Sequence, residues 1–367
     1  MKAHLLCMLL AAGPLTTSSL PSSLRLEDDM HADKISASLE QLESEPVLSG
    51  TDTLQGDGWV GVRNGRLWCT VNGDTVQAHA PGFLHHGGRW WMVGEDRSHP
   101  WTPDVNLYSS PDLTHWQFES KIIANGITDP RLGRSRMIER AKLMRNTRTG
   151  QFVVWCHWEA RNYGASEAAC FVSDSVRGPY RMAWSGRPLG IKSRDCNIFV
   201  DAGGEAYFIS TTEENQHLGL FRLADDYLSV TSHQQLFPHQ QREAPVIVRV
   251  PASDSPTGCR YFMLSSACSG WAPNQCKYAY TDDLAHPWSE LHDVGDATAY
   301  RTQAAAVLTI EGTRQTTYLY VGDRWMDPTL PESKTIIFPI TFSGTECQFH
   351  YMDSFRLNLQ TGEWCPE

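Results

Sequence analysis

No stretch of about 18 or more apolar residues runs through this chain, so no membrane-spanning helix is expected and no membrane partner. No long Lys/Arg stripe occurs, and the formal net charge is −11. That argues against a nucleic acid as partner, because nothing could neutralise its phosphates. None of the 10 Cys forms a C-x-x-C pair, which leaves a zinc site without its usual spacing, and no cofactor is expected. After Gly56 no long amphipathic helix can be traced. These absences leave a β protein with an uncharged partner, and a polysaccharide fits.

What the chain does have is 367 residues with 13 Trp, 28 Gly and 20 Pro, the mixture of short strands, tight loops and flat aromatic surfaces on which sugars stack. Most of those Trp are expected to fill the core. At the start, Lys2, the apolar run Leu5 to Ala12 and the small residues Ser18 and Ser19 read as a secretory signal over residues 1–20, and hence a secreted protein. Residues 21–56 read as a polar, acidic leader, and 57–367 as a single catalytic domain. Cys7 falls in the signal, which leaves an odd number of Cys; Cys268 and Cys276 are the expected disulfide, closing a small loop.

One theme recurs after Gly56, a short aromatic-rich strand: RWWMVGED at Arg89, QFVVWCHW at Gln151, EAYFISTT at Glu205, RYFMLSSA at Arg260 and TTYLYVGD at Thr316. Successive copies lie roughly 54 to 62 residues apart, the spacing of a repeat architecture. Turn-and-aromatic elements follow several copies, as in Tyr108-Ser109-Ser110-Pro111-Asp112-Leu113 before Trp116. Five units of about four short strands predict an all-β, five-bladed β-propeller. A β-sandwich or jelly roll is the competing architecture, but neither calls for five copies of one unit.

Upstream of each aromatic strand, at one phase of the repeat, stands a conspicuous polar group: His79, Glu139, Asp195, Glu243 and Gln303. Equivalent positions of successive blades converge on the channel if that phase is the inner strand. Glycoside hydrolysis needs a proton for the leaving oxygen and usually a second carboxylate, roughly 6.5–9.5 Å away in an inverting enzyme. Glu243 is the candidate proton donor, since apolar neighbours and nearby carboxylates raise a carboxyl's pKa. The competing reading is an Arg242–Glu243 ion pair, weakened because strand neighbours point to opposite faces. Asp195 is either the like-charge neighbour of Glu243 or a turn residue. Glu139 is either a ligand for sugar hydroxyls or part of a surface network with its basic neighbours. His79 stands where a base would be needed and is either a sugar contact or a hydrogen-bonded core histidine.

Taken together, these stretches resemble glycoside hydrolase family 43, in its exo-β-1,3-galactanase branch, from about Trp68 to Trp325. The matching runs are Ala78-His79, Val93-Gly94-Glu95, Glu139-Arg140 with Lys142, Asn162-Tyr163-Gly164, Arg194-Asp195, Glu214-Asn215 with Leu218, Arg242-Glu243-Ala244-Pro245, Ser269-Gly270-Trp271-Ala272-Pro273-Asn274, Gln303, and Gly322-Asp323-Arg324-Trp325. The resemblance implies release of galactose from the non-reducing end of β-1,3-galactan, with inversion, by a monomer. It implies Glu243 as catalytic acid, Asp195 as the residue tuning its pKa, and Gln303 in place of the missing base. Gln303 would orient the attacking water or accept its proton through the imidic tautomer. Glu139, Tyr163, Asn215, Ser269 and Trp271 would contact sugar, with Glu95, His79 and Asp323 also assigned to the substrate site. Departures from the pattern include Ala80-Pro81-Gly82, which stiffens a loop near the sugar, Ala141 after Glu139-Arg140, and the apolar setting Ala304-Ala305 around Gln303. The chain ends soon after the fifth repeat, so no separate carbohydrate-binding domain is expected. An arabinofuranosidase or β-xylosidase on the same fold is the first alternative, and a non-catalytic arabinogalactan-binding propeller the second.

Overall fold

The computed structural model describes residues 58–98 and 104–367. The expected signal, leader and Cys7 lie outside the described residues. Among the described residues no helix is long and apolar enough to cross a membrane, and the secondary structure is strands with three single-turn 3-10 segments.

Strand β1 (Trp59–Arg63) comes first. Five four-stranded antiparallel meanders follow, each pairing its strands in sequence order. The first holds β2 (His79–His86), β3 (Arg89–Glu95), β4 (Val105–Ser110) and β5 (Gln117–Ile123). The second holds β6 (Met137–Arg145), β7 (Phe152–Glu159), β8 (Glu167–Ser173) and β9 (Arg181–Gly186). The third holds β10 (Ser193–Val200), β11 (Ala206–Thr212), β12 (His217–Leu223) and β13 (Val230–Leu236). The fourth holds β14 (Arg242–Pro251), β15 (Cys259–Ala267), β16 (Cys276–Thr281) and β17 (His292–Val294). The fifth holds β18 (Gln303–Glu311), β19 (Thr316–Arg324), β20 (Lys334–Ser343) and β21 (Glu346–Phe349). A small sixth sheet then forms as β22 (Ser354–Asn358) pairs with both β1 and β23 (Trp364–Pro366).

The five aromatic strands of the sequence are the second strands of these meanders. Each is apolar almost throughout because both of its faces are covered, and the period-2 alternation of a strand deals its side chains to two different cores. Along β7, Phe152, Val154, Cys156 and Trp158 enter the core between the first and second meanders, while Val153 and Trp155 enter the core between the second and third. Five such cores exist, one in each gap between consecutive meanders, and the last joins the fifth meander back to the first together with β1 and β22. Each fully buried large side chain in them stabilises the fold by roughly 1.5–3 kcal/mol. The last strands are more polar, as in β13, where only Leu236 is buried, and polar edges discourage further pairing.

The first strand of each meander packs beside the first strand of the next, in the order β2, β6, β10, β14, β18 and back to β2. All five carry a β-bulge near their start, between His79 and Gly82, Glu139 and Lys142, Ser193 and Cys196, Glu243 and Val246, and Ala304 and Ala306. A bulge breaks the alternation and re-aims the side chain beside it.

Candidate active site

The five polar groups singled out in the sequence sit within the first three residues of the first strands, at or beside those bulges. Ala80, Arg140 and Ala244, each directly after its polar group, take the left-handed conformation at φ 47°, 51° and 52°. Such a backbone needs support for a residue with a Cβ, and at Ala80 and Arg140 carboxylates supply it. Glu95, at the end of β3, accepts the Arg140 N–H at 2.6 Å. Asp323, near the end of β19, accepts the Ala80 N–H with both oxygens at 3.1 Å. Beneath them the Lys142 ammonium is buried and donates to the carbonyls of Ala80 (2.7 Å), Pro81 (2.8 Å) and Ala305 (3.1 Å).

Above this layer opens a cleft of about 350 Å³, the size class of a small-ligand site, and its wall includes Glu139, Tyr163, Asp195, Asn215, Glu243 and Gln303. Arg242 turns away from Glu243. It donates to the Ser265 hydroxyl at 3.1 Å and to the Ser265 and Gln275 carbonyls, so the two strand neighbours face oppositely. Burial pushes the Glu243 carboxyl up to about 8, the Asp195 anion adds to the rise, and Arg140, Cys268 and Gln303 oppose it. Glu243 is therefore a protonated acid at neutral pH. Asp195 stays close by because its carboxylate is held by the Arg140 guanidinium at 2.7 Å.

Gln303 has every hydrogen-bonding position of its side chain occupied. Its oxygen accepts from Arg140 at 2.6 Å and from the Trp325 indole at 2.9 Å, and its nitrogen donates to Glu243 Oε1 at 3.0 Å and Ser266 Oγ at 3.1 Å. Arg140 and Trp325 can only donate, so the amide oxygen faces them and the NH₂ faces Glu243. Two donors on that oxygen favour the amide over the imidic form.

Glu139 forms a second pole. Its carboxylate accepts from the Tyr163 hydroxyl at 2.7 Å and from Arg97 at 3.3 Å, and His157 Nδ1 lies 3.1 Å from it. Burial alone would raise Glu139, but these cationic and hydrogen-bonding partners hold it well below the usual carboxylate range. Trp271, 36% exposed, stands edge-on to Trp325 with ring centroids 4.9 Å apart, and Arg97 lies 5.6 Å over its ring. Asn215 also lines the cleft, and its side-chain oxygen has no hydrogen-bond partner among the described residues.

The structure thus gathers Glu243, Gln303, Asp195, Glu139, Tyr163, Asn215, Trp271 and Glu95 around one cleft. Three other candidates are not part of its wall. His79 is 2% exposed, hydrogen-bonded to Gln77 at 3.1 Å, and kept neutral by burial and the Arg97 charge, so it is the hydrogen-bonded core histidine of the two readings. Asp323 holds the first bulge, and Ser269 braces the Trp271 loop by donating to the Ala272 carbonyl at 2.6 Å while accepting from Asn274 at 2.6 Å.

The expected Cys268–Cys276 disulfide is absent, and both are free thiols. Cys276 is buried at the head of β16, whereas Cys268 is exposed with its thiol 3.2 Å from the Gln241 carbonyl; closeness in sequence did not bring the two sulfurs together. Sequence reasoning missed Arg97, His157 and Glu159. The only signal for His157 was a lone His inside an otherwise apolar strand, which reads as core. Among the described residues no trio of His, Cys, Asp or Glu is arranged to hold a metal ion.

No family model and no curated protein sequence matches the chain. Solved structures do. An exo-β-1,3-galactanase from Clostridium thermocellum is 35% identical, with a TM-score of 0.78 over 84% of this chain and 68% of its own. An exo-β-1,3-galactanase variant from Phanerochaete chrysosporium, solved with β-1,3-galactotriose, is 30% identical, with a TM-score of 0.77 over 84% of this chain and 71% of its own. A Bacteroides family 43 β-1,3-galactosidase, solved with galactodeoxynojirimycin, is 28% identical, with a TM-score of 0.73 over 80% of this chain and 99% of its own.

Proposed function

The chain belongs to the exo-β-1,3-galactanase branch of glycoside hydrolase family 43, and from that premise we propose that it cleaves galactose from the non-reducing end of β-1,3-galactan at the cleft of Glu243. The observation that carries the proposal is a carboxyl kept protonated by burial and by Asp195, inside a cleft, with an amide fixed against one of its oxygens. The fold proposed is a five-bladed propeller, supported by the cyclic packing of first strands and the five cores between consecutive meanders.

In this reading Gln303 selects which oxygen of Glu243 carries the proton. An N–H donated to Oε1 is accepted best by the carbonyl oxygen of the acid, which favours the hydrogen on Oε2, from where it moves to the departing glycosidic oxygen. As the C–O bond breaks, water attacks the anomeric carbon from the opposite face and inverts it. To hold that water, Gln303 must exchange one of its four bonds. Ser266, whose hydroxyl can donate or accept, is the partner it releases at least cost. Glu139, held anionic by its His157, Arg97 and Tyr163 partners, would receive sugar hydroxyls, with Tyr163, Asn215 and Trp271 shaping the site for one terminal ring. The secretory signal expected over residues 1–20 makes secretion part of the same proposal, together with action as a monomer.

The test is to incubate the protein with linear β-1,3-galactan, arabinan and xylan and to follow the released sugar and its anomer by proton NMR. Galactan alone should yield galactose, initially the α anomer. Glu243→Gln should lower turnover by roughly 10²–10⁴-fold, the usual contribution of a positioned general acid, and leave binding in place. Arabinose or xylose as main product would refute the specificity. Binding without release, unchanged in Glu243→Gln, would make the protein a lectin instead.

A further inference from the structure

Behind Glu139 lies a chain of charges that the reaction above does not use. His157, on β7, is 1% exposed and has a carboxylate at each ring nitrogen. Nδ1 is 3.1 Å from Glu139 Oε2, a contact of charge rather than an aligned hydrogen bond, and Nε2 is 3.0 Å from Glu159 Oε2. A ring nitrogen without its hydrogen would set a lone pair against an anionic oxygen, so both nitrogens are protonated and the ring is a cation. Glu159 is itself anchored. Its other oxygen accepts the N–H groups of Ala160 (2.8 Å), Ala165 (2.8 Å) and Ser166 (3.1 Å).

We propose that His157 and Glu159 are positioning residues that hold Glu139 ionised and aimed into the cleft, giving sugar affinity an alkaline limit separate from that of the catalytic acid. The proposal rests on the reading of Glu139 as a sugar-binding carboxylate. Its geometry is asymmetric in a useful way. Glu159 is tied to three backbone groups and cannot move, the imidazole is pinned to it, and Glu139 is then fixed from behind while its Tyr163 and Arg97 contacts fix it from the side. The titratable groups around His157 are Glu139 from β6, Glu159 from its own strand, the Tyr163 ring at 6.4 Å and, at the His157 backbone, Cys196 of β10, whose thiol burial pushes up to about 12 and keeps neutral. Burial opposes the imidazolium, but its two carboxylates prevail and push it up to about 9. As pH rises through that value the ring loses its charge, and Glu139 loses the partner that orients it.

The experiment measures binding of β-1,3-galactobiose by tryptophan fluorescence, from pH 6 to pH 10, in a Glu243→Gln background in which the acid cannot titrate. The parent should bind evenly up to about pH 8 and then weaken. Adding His157→Gln should weaken binding at neutral pH by roughly tenfold, the scale of a lost charge-assisted contact, and abolish the alkaline fall. Adding Glu159→Gln should move the fall to lower pH. In the otherwise unaltered enzyme, His157→Gln should raise KM with kcat within about threefold, whereas a general packing defect would lower both. A folded His157→Gln protein with the parent's affinity and the parent's alkaline fall overturns the proposal. Glu139→Gln separates the two levels: unchanged affinity there refutes the sugar-binding reading itself, whereas weakened affinity there with a silent His157→Gln refutes only the positioning role. Should His157→Gln not fold, nitrogen-15 NMR of histidine-labelled unaltered protein decides. An imidazolium persisting at pH 8 with both N–H protons supports the proposal, and a neutral ring at pH 7 overturns it.

Discussion

Replacing Gln303 by Glu puts a second carboxylate 3.0 Å from Glu243, with almost no change in shape. Two unit charges at that distance repel by about 5 kcal/mol at an effective dielectric constant of 20. The Arg140 guanidinium, 2.6 Å from the same side chain, offsets part of that. Taking half as the net gives about 2–3 kcal/mol, or about two pH units, since 1.36 kcal/mol corresponds to one unit. The pair should then share a proton and titrate in two macroscopic steps, one below and one above the value of about 8 for Glu243 alone. The sign follows from charge: ionising the second carboxyl beside an anion is harder, so the proton is retained to higher pH. In a pH profile of kcat/KM on β-1,3-galactobiose, the alkaline limb should move up towards pH 10. Turnover should fall by roughly 10²-fold or more, because the shared proton is held between the two carboxyls instead of being presented to the departing oxygen. An alkaline limb left where it was, or a faster enzyme, would refute the direct amide–acid contact on which the mechanism depends.

Asp195→Asn should shift the same alkaline limb the other way, down by about one unit, because it removes a like charge and frees Arg140 to favour the Glu243 anion; the pH profile of kcat/KM reads it directly. Lys142→Met should leave the Ala80, Pro81 and Ala305 carbonyls without their shared donor and destabilise the fold by roughly 3–5 kcal/mol, seen as a lower midpoint in urea. Thiol titration of the denatured chain should give the same count with and without prior reduction, and a reductant should leave the thermal midpoint unmoved.

Much of the site was legible because repeats fix phase. Once five aromatic strands were aligned, His79, Glu139, Asp195, Glu243 and Gln303 fell at one position, and they do start the five first strands. The opposite orientation of Arg242 and Glu243 followed from strand geometry alone. The bulges were not legible, since no residue type marks them: Ala80, Arg140 and Ala244 adopt left-handed backbone because Asp323 and Glu95, far off in sequence, hold two of the three amides concerned. For the same reason the hold of Glu95 and Asp323 on the bulges could not be read, and their place at the substrate site rested on resemblance alone. His157 was hidden by its neighbours, an ion in a strand of core residues. The disulfide expectation failed because sequence proximity says nothing of which way two thiols point.

Strand β1 has its partner β22 almost three hundred residues downstream, pairing Trp59 with Asn358 and Arg63 with Ser354. A ribosome must therefore release nearly the whole polypeptide before that seam can be sewn, and until then the apolar side chains Val60 and Val62 wait without Phe355 and Leu357 to cover them. A stop codon placed just before Ser354 would spare every group of the cleft and still strip β1 of its pairing strand and of the side chains that cover it.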